Sequence, residues 1–257
     1  MEGRREQRER LRAERATAES QQAGALARKR RLQYLIIGGF AALAAILALI
    51  LISQSGGDDN GAGGSPSNVQ GAAQVRSELS GIPQSGQVLG DSNAPVTVVE
   101  FGDPQCPTCA AFSEQIAPEL ISSEVSNGNA RFEFRPYLII GPESKPAMMA
   151  ALAAGEQDRF WNYLQLFYRN QGAENSGYVT DDFLTGLAEA AGVPNLDSWN
   201  QSQDSSRWDA VLSDGTSQAE SLGFNGTPSI LVQGPNGQMP LQGFQLSEIR
   251  SAIQQVG

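Results

Sequence analysis

From Tyr34 to Ile52 the chain reads YLIIGGFAALAAILALILI, nineteen apolar or small residues without a charge or a proline. As a helix this run rises about 28 Å, close to the hydrocarbon thickness of a bilayer. It therefore divides the chain, because whatever precedes it and whatever follows it must fold apart. A cleaved secretory signal is the competing reading. The run is longer than a signal's apolar core, a 33-residue leader precedes it, and no small-x-small cleavage site follows. An uncleaved anchor is the reading adopted. Arg28, Lys29, Arg30 and Arg31 stand directly before the span and Asp58 and Asp59 follow it. The excess of positive charge on the leading side places the N-terminus in the cytoplasm and the rest of the chain outside, as a single-pass protein of the cell membrane.

Charge follows the same division. Ten of the 18 Lys and Arg fall in the first 31 residues, which leaves eight against 23 Asp and Glu, a net −15, over the remaining chain. Such a surface repels phosphate backbones, so nucleic acid is excluded as a partner. With no histidine anywhere, imidazole bases and His-containing metal sites are excluded too. The stretch SQSGGDDNGAGGSPSNVQGA carries six glycines and little that can be buried. It reads as a flexible tether with a reach of about 25 Å. Four segments result: a basic tail over 1–33, a transmembrane anchor over 34–53, a linker over 54–79 and a folded domain over 80–257.

Within that domain, VTVVEF at residues 96–101 is a β-branched run bounded by Pro95 and Gly102, the pattern of a buried strand. A helix follows, with a kink expected at Pro118. RFEFRPYLII, residues 131–140, reads as a second central strand. Helical spacing then dominates to Gly223, with Thr180 as an expected N-cap and Gly192 past a helix end. PSILVQG, a turn at Asn236 and Gly237, QMPLQGF and a helix from about Leu246 to Val256 complete the chain. The order of strand, helix, strand, helical insert, two strands and helix predicts an α/β sheet with an insertion over about 143–222.

Both cysteines of the chain lie in GDPQCPTCAAF, between the first strand and its helix. A structural disulfide gains most by closing a long loop, and Cys106 and Cys109 close almost none. A zinc site needs two further ligands, which this chain can draw only from carboxylates. Redox chemistry fits the placement. A leading sulfur at a helix start meets unpaired N–H groups and the positive end of the macrodipole, which lower its pKa. Cys106, expected to be exposed there, can attack a disulfide as thiolate, and Cys109, one turn on and more buried, can resolve the mixed disulfide. Pro107 preorganises the helical entry, and Thr108 is placed to influence the thiolate. Pro228 in GFNGTPSILV opens a strand; taken alone it reads as an ordinary turn proline.

Together, SGQVLGDSNAPVTVVEFGDPQCPTCAAF, RFEFRPYLI, the helical block and FNGTPSILVQG resemble the DsbA-like thiol:disulfide oxidoreductases of the thioredoxin superfamily, the membrane-anchored bacterial kind in particular. The resemblance covers about residues 80–257. It implies a thioredoxin fold with a helical insertion, Cys106 as nucleophile and Cys109 as resolving thiol. It implies a cis Thr227–Pro228 peptide beside the active disulfide, where an extended substrate segment pairs. Glu100 matches the buried acid that moves the resolving cysteine's proton, and Arg135 is placed by the strand order as its charge partner. Thr108 departs from the histidine that the best-known members carry, which leaves the direction of electron flow open. The expected function is an extracytoplasmic oxidase of exported proteins with cysteine pairs, needing no cofactor or metal, reoxidised by a DsbB-like or vitamin-K-epoxide-reductase-like membrane partner. A reductase or isomerase on the same chemistry, a metal chaperone and a peptide-binding holdase are the rival readings.

Overall fold

A computed structural model describes residues 69–257 apart from residue 242. The basic tail, the apolar run and most of the tether lie outside the described residues, and among the described residues no helix is long and apolar enough to cross a membrane. Six strands, β1 (Gln84–Ser85), β2 (Val88–Leu89), β3 (Val96–Gly102), β4 (Ala130–Pro136), β5 (Ser229–Gly234) and β6 (Gly237–Pro240), form one sheet in the order β1-β2-β4-β3-β5-β6. All seven residues of β3 are buried, which places this β-branched run at the centre with both faces covered. It runs parallel to β4, Val96 opposite Ala130 and Gly102 opposite Pro136, and antiparallel to β5, Phe101 opposite Ser229.

Strand alternation assigns the two faces of β3 to different cores. Val96 and Val98 join the main core with Phe112 of α2 (Pro107–Gln115) and Ile249 of α9 (Leu246–Val256). Val99 and Phe101 join a smaller cluster with Tyr137, Leu231 and Ala219 of α8 (Ser205–Ser221). Gly215 lets α8 lie against the end of β4, since a Cβ there would overlap the Pro136 carbonyl. The helix after β3 breaks where proline predicts. α2 stops at Gln115, α3 (Ala117–Leu120) restarts around Pro118, which has no N–H for the Glu114 carbonyl, and a π-helical turn over Ile121–Val125 follows.

The insertion between β4 and β5 consists of α4 (Ser144–Gly155), α5 (Phe160–Arg169), α6 (Asp181–Ala191), α7 (Leu196–Gln201) and α8. The first helical run divides where Asp158 takes a positive φ of 56°, and the chain re-enters at Phe160. Phe160 and Trp161 fasten the insertion to the sheet, their rings 5.7 Å from Phe134 and 4.6 Å from Phe132. Thr180 caps α6, its Oγ1 accepting the Phe183 N–H at 3.2 Å, and Gly192 ends it at φ 73°.

Two sequence expectations are corrected. The linker does not extend to residue 79, because α1 (Ala72–Glu78) is a helix whose Val75 is buried, with Leu79 buried just past its end. Glu78 also pairs with Arg169 of α5 at 2.8 Å. Val75 and Leu79 are four apart and share one helix face, a signal masked by the glycine-rich sequence before it. The second strand ends at Pro136 rather than Ile140. Its last residues leave the ladder because Ile139 and Ile140 turn their N–H groups to the Asp103 carboxylate.

Candidate active site

β3 and β4 are parallel, so their C-terminal ends lie side by side and the loops leaving them meet. Asp103, fully buried in the first loop, ties the two together. Its Oδ1 accepts the Gln105 N–H at 2.9 Å, and its Oδ2 accepts those of Ile139 at 2.8 Å and Ile140 at 2.9 Å. Its carbonyl accepts the Cys106 N–H at 3.0 Å, closing a tight turn before the helix. Gln105 points into the insertion, donating to Ser144 Oγ at 3.3 Å and accepting the Asn175 N–H at 2.8 Å. Sequence reasoning passed over both residues; their only signal was adjacency to the cysteines.

Cys106 occupies the N-cap of α2, where a serine or aspartate oxygen commonly stands, and its Sγ accepts the Cys109 N–H at 3.3 Å. Pro107 at N1 removes an N–H that would have had no helical partner, and Pro107 and Thr108 are both exposed. Cys109 is fully buried and both thiols are free. The expectation of an exposed Cys106 is corrected: only 4% of the residue is accessible. What covers it is the loop before β5. Because β5 runs antiparallel beside β3, that loop reaches the helix start, and the Cys106 thiol donates to the Thr227 carbonyl at 3.2 Å. The Thr227–Pro228 peptide is cis. Thr227 Oγ1 is buried without a hydrogen-bond partner, which leaves it available to donate to the ionised sulfur.

The two sulfurs ionise very differently. Cys106 is lowered to about 6 from a usual 9.0, first by the hydrogen bond from the Cys109 thiol, with the Thr227 side chain and the backbone amides of Cys109 and Thr108 adding to it and burial opposing. Cys109 is pushed well above the usual thiol range by burial, then by that same bond to Cys106 and by the charges of Glu100 and Cys106. Glu100 shares the face of β3 that carries Val96 and Val98. It is 2% exposed, its Oε1 has no hydrogen-bond partner, and its carboxyl rises to about 8, chiefly through burial and further through the Cys106 charge. Glu100, Cys106, Cys109 and Thr227–Pro228 are thus brought together.

Arg135 is not part of that group. In the parallel register it stands opposite Phe101, while Glu100 stands opposite Phe134, so the two side chains leave opposite faces of the sheet. Arg135 pairs with Glu133 at 2.7 Å, hydrogen-bonds Gln218 of α8 and lies over the Phe101 ring. Placement on neighbouring strands suggested the pairing to Glu100; a one-residue offset in register removes it. Among the described residues no group of three or more Cys, Asp or Glu side chains gathers as metal ligands would.

Known proteins resemble this chain in sequence and fold. The family described as Thioredoxin matches residues 84–253. A probable disulfide bond formation protein D of Bacillus cereus is 30% identical over 152 residues, spanning 58% of this chain and 70% of its own. The disulfide bond formation protein D of Bacillus subtilis is 28% identical over 163 residues, 62% of this chain and 73% of its own. The crystal structure of oxidised BdbD from Bacillus subtilis superposes with a TM-score of 0.58 at 26% identity, covering 67% of this chain and 96% of that one.

Proposed function

The chain belongs to the thioredoxin family as a DsbA-like thiol:disulfide oxidoreductase, and from that premise we propose that it is an extracytoplasmic oxidase that gives its Cys106–Cys109 disulfide to exported proteins with cysteine pairs. A substrate thiolate attacks the Cys106 sulfur and displaces Cys109, forming a mixed disulfide. The substrate's second thiolate then attacks its own bridged sulfur and releases Cys106 as thiolate. Two electrons pass from the substrate to the enzyme, which a quinone-linked membrane partner of the DsbB-like or vitamin-K-epoxide-reductase-like type removes again.

In this reading Glu100 holds and supplies the proton that Cys109 needs on leaving, being ionisable near neutral pH on the same buried face. Thr227 and Pro228 line the place where an extended substrate segment pairs, and Pro107 and Thr108 shape the helix start. Residues 1–33 form a cytoplasmic tail, 34–53 the anchor, and the glycine-rich stretch up to α1 the tether that leaves the domain outside.

The observation that carries the direction is the contrast between Cys106 at about 6 and Cys109 well above its usual value. A leaving thiolate that is already stable makes the disulfide easy to reduce, as an oxidase requires. At pH 7, one unit above that ionisation, and allowing for solvent screening, it favours the reduced form by about 1 kcal/mol, roughly 20 mV of potential. The Cys109→Ser chain expressed in cells should accumulate mixed disulfides through Cys106 that reductant dissolves. A reduction potential near about −120 mV supports the oxidase, and one near about −270 mV would make the chain a reductase.

A further inference from the structure

Helix α5 is almost wholly apolar where it is buried, with Phe160, Trp161, Leu164, Leu166 and Phe167 packed into the core. Gln165 and Tyr168 within it, and Gln171 just past its end, reach the segment that carries Cys106. Gln165 Oε1 accepts the Ser113 hydroxyl of α2 at 3.0 Å, both residues being buried. The Tyr168 hydroxyl donates to the Asp103 carbonyl at 3.3 Å. Gln171, one turn past Tyr168, donates from Nε2 to the Pro104 carbonyl at 2.7 Å and to the Cys106 carbonyl at 3.2 Å. A spacing of three keeps such residues on one side of the helix and its continuation, and the Gln171 N–H to Tyr168 carbonyl bond prolongs that turn.

We propose that Gln171 is a positioning residue that sets the ionisation of Cys106 and hence the reducing equilibrium of the disulfide. Its amide crosses the open side of the turn whose ends are joined by the Cys106 N–H and the Asp103 carbonyl. The Cys106 carbonyl is also the first acceptor of α2, taking the Ala110 N–H at 3.1 Å. The direction of that carbonyl fixes the Cys106 ψ of 118°, and this torsion aims Sγ at the amide of Cys109. Gln171 also offsets, with two N–H groups, the partial negative charge of two carbonyl oxygens on either side of Gln105. Without it, the Pro104 oxygen loses its donor and the Cys106 oxygen keeps only the Ala110 N–H, beside a residue whose sulfur must carry an anion.

This assignment rests on the oxidoreductase reading above, and glutathione tests the two separately. In the full-length chain the protein disulfide and two glutathione thiols give Cys106 thiolate, Cys109 thiol, one glutathione disulfide and one proton, two electrons passing to the protein. Gln171→Ala should lower this equilibrium constant about three- to fivefold at pH 7 and move the pH profile of Cys106 alkylation by iodoacetamide upward. Gln171→Glu, which sets a carboxylate against two carbonyls, should shift both at least as far, and Gln171→Asn, one methylene short, should fall between wild type and Ala. Folding is followed by circular dichroism in both redox states. Folded Ala and Glu variants within about twofold of wild type would overturn the role, as would equal destabilisation of both redox states with the constant unmoved. If the Glu variant fails to fold, Gln171→Ala decides. A wild-type chain that never equilibrates with glutathione overturns the oxidoreductase reading, whereas an exchanging wild type with unmoved variants overturns the role of Gln171 alone.

Discussion

Glu100 and Cys106 titrate in opposite senses, and their signs give the reduced protein a two-part pH dependence. The folded Glu100 holds its proton up to about 8 against an ordinary 4.5. Its contribution to stability is complete below about 4.5 and is lost as pH rises toward 8. The folded Cys106 loses its proton near 6 against an ordinary 9.0. Its contribution is present above about 9 and is lost as pH falls through 6. Denaturant unfolding of the reduced protein should therefore show Glu100→Gln gaining on wild type between pH 5 and pH 8 by on the order of 3 kcal/mol. A gain that is the same at both pH values would refute the buried, proton-holding carboxyl. Reduced Cys106→Ser should lose stability steadily over the same interval, since nothing then opposes Glu100; a flat profile would count against the pairing of the two groups.

The elements of the sheet and the last helix were legible because their residues state their environment locally. VTVVEF can be buried on both faces, and Leu246–Val256 repeats apolar residues at helical spacing. The hairpin of β1 and β2 was not legible, since strands of two residues are too short to show alternation. Register was hidden for a deeper reason: whether Arg135 or Phe134 faces Glu100 depends on how two distant segments align, which neither segment encodes alone. At the site, the cysteines announced themselves by motif and Pro228 only through the family resemblance, while Asp103, Gln105, Tyr168 and Gln171 act largely through bonds to backbone groups that many sequences would supply. Gly215 makes the same point in a helix. Replacing a helical glycine with alanine ordinarily stabilises by nearly 1 kcal/mol, through backbone entropy. Here the added methyl meets the Pro136 carbonyl, so Gly215→Ala should destabilise by about 1–3 kcal/mol in thermal or urea unfolding. An increase in melting temperature would show that α8 can move away from the sheet.

For the molecule as a whole, α1 rather than the first strand opens the described core. A chain beginning at residue 69 should keep the glutathione equilibrium of the full-length protein, because the described core is complete within it. One beginning at residue 80 lacks Val75 and Leu79 and the Glu78 partner of Arg169, and should lose roughly 3–5 kcal/mol of unfolding free energy. Equal stability of the two truncations would return those residues to the tether. The cover that Thr227 lays over Cys106 has an effect on timing. In the proposed oxidase, a residue showing so little surface favours a slender, extended stretch of polypeptide over the bulk of a finished globular protein. Such an enzyme would introduce bonds while its clients are still threading outward and would leave completed ones alone, with shape acting as the clock.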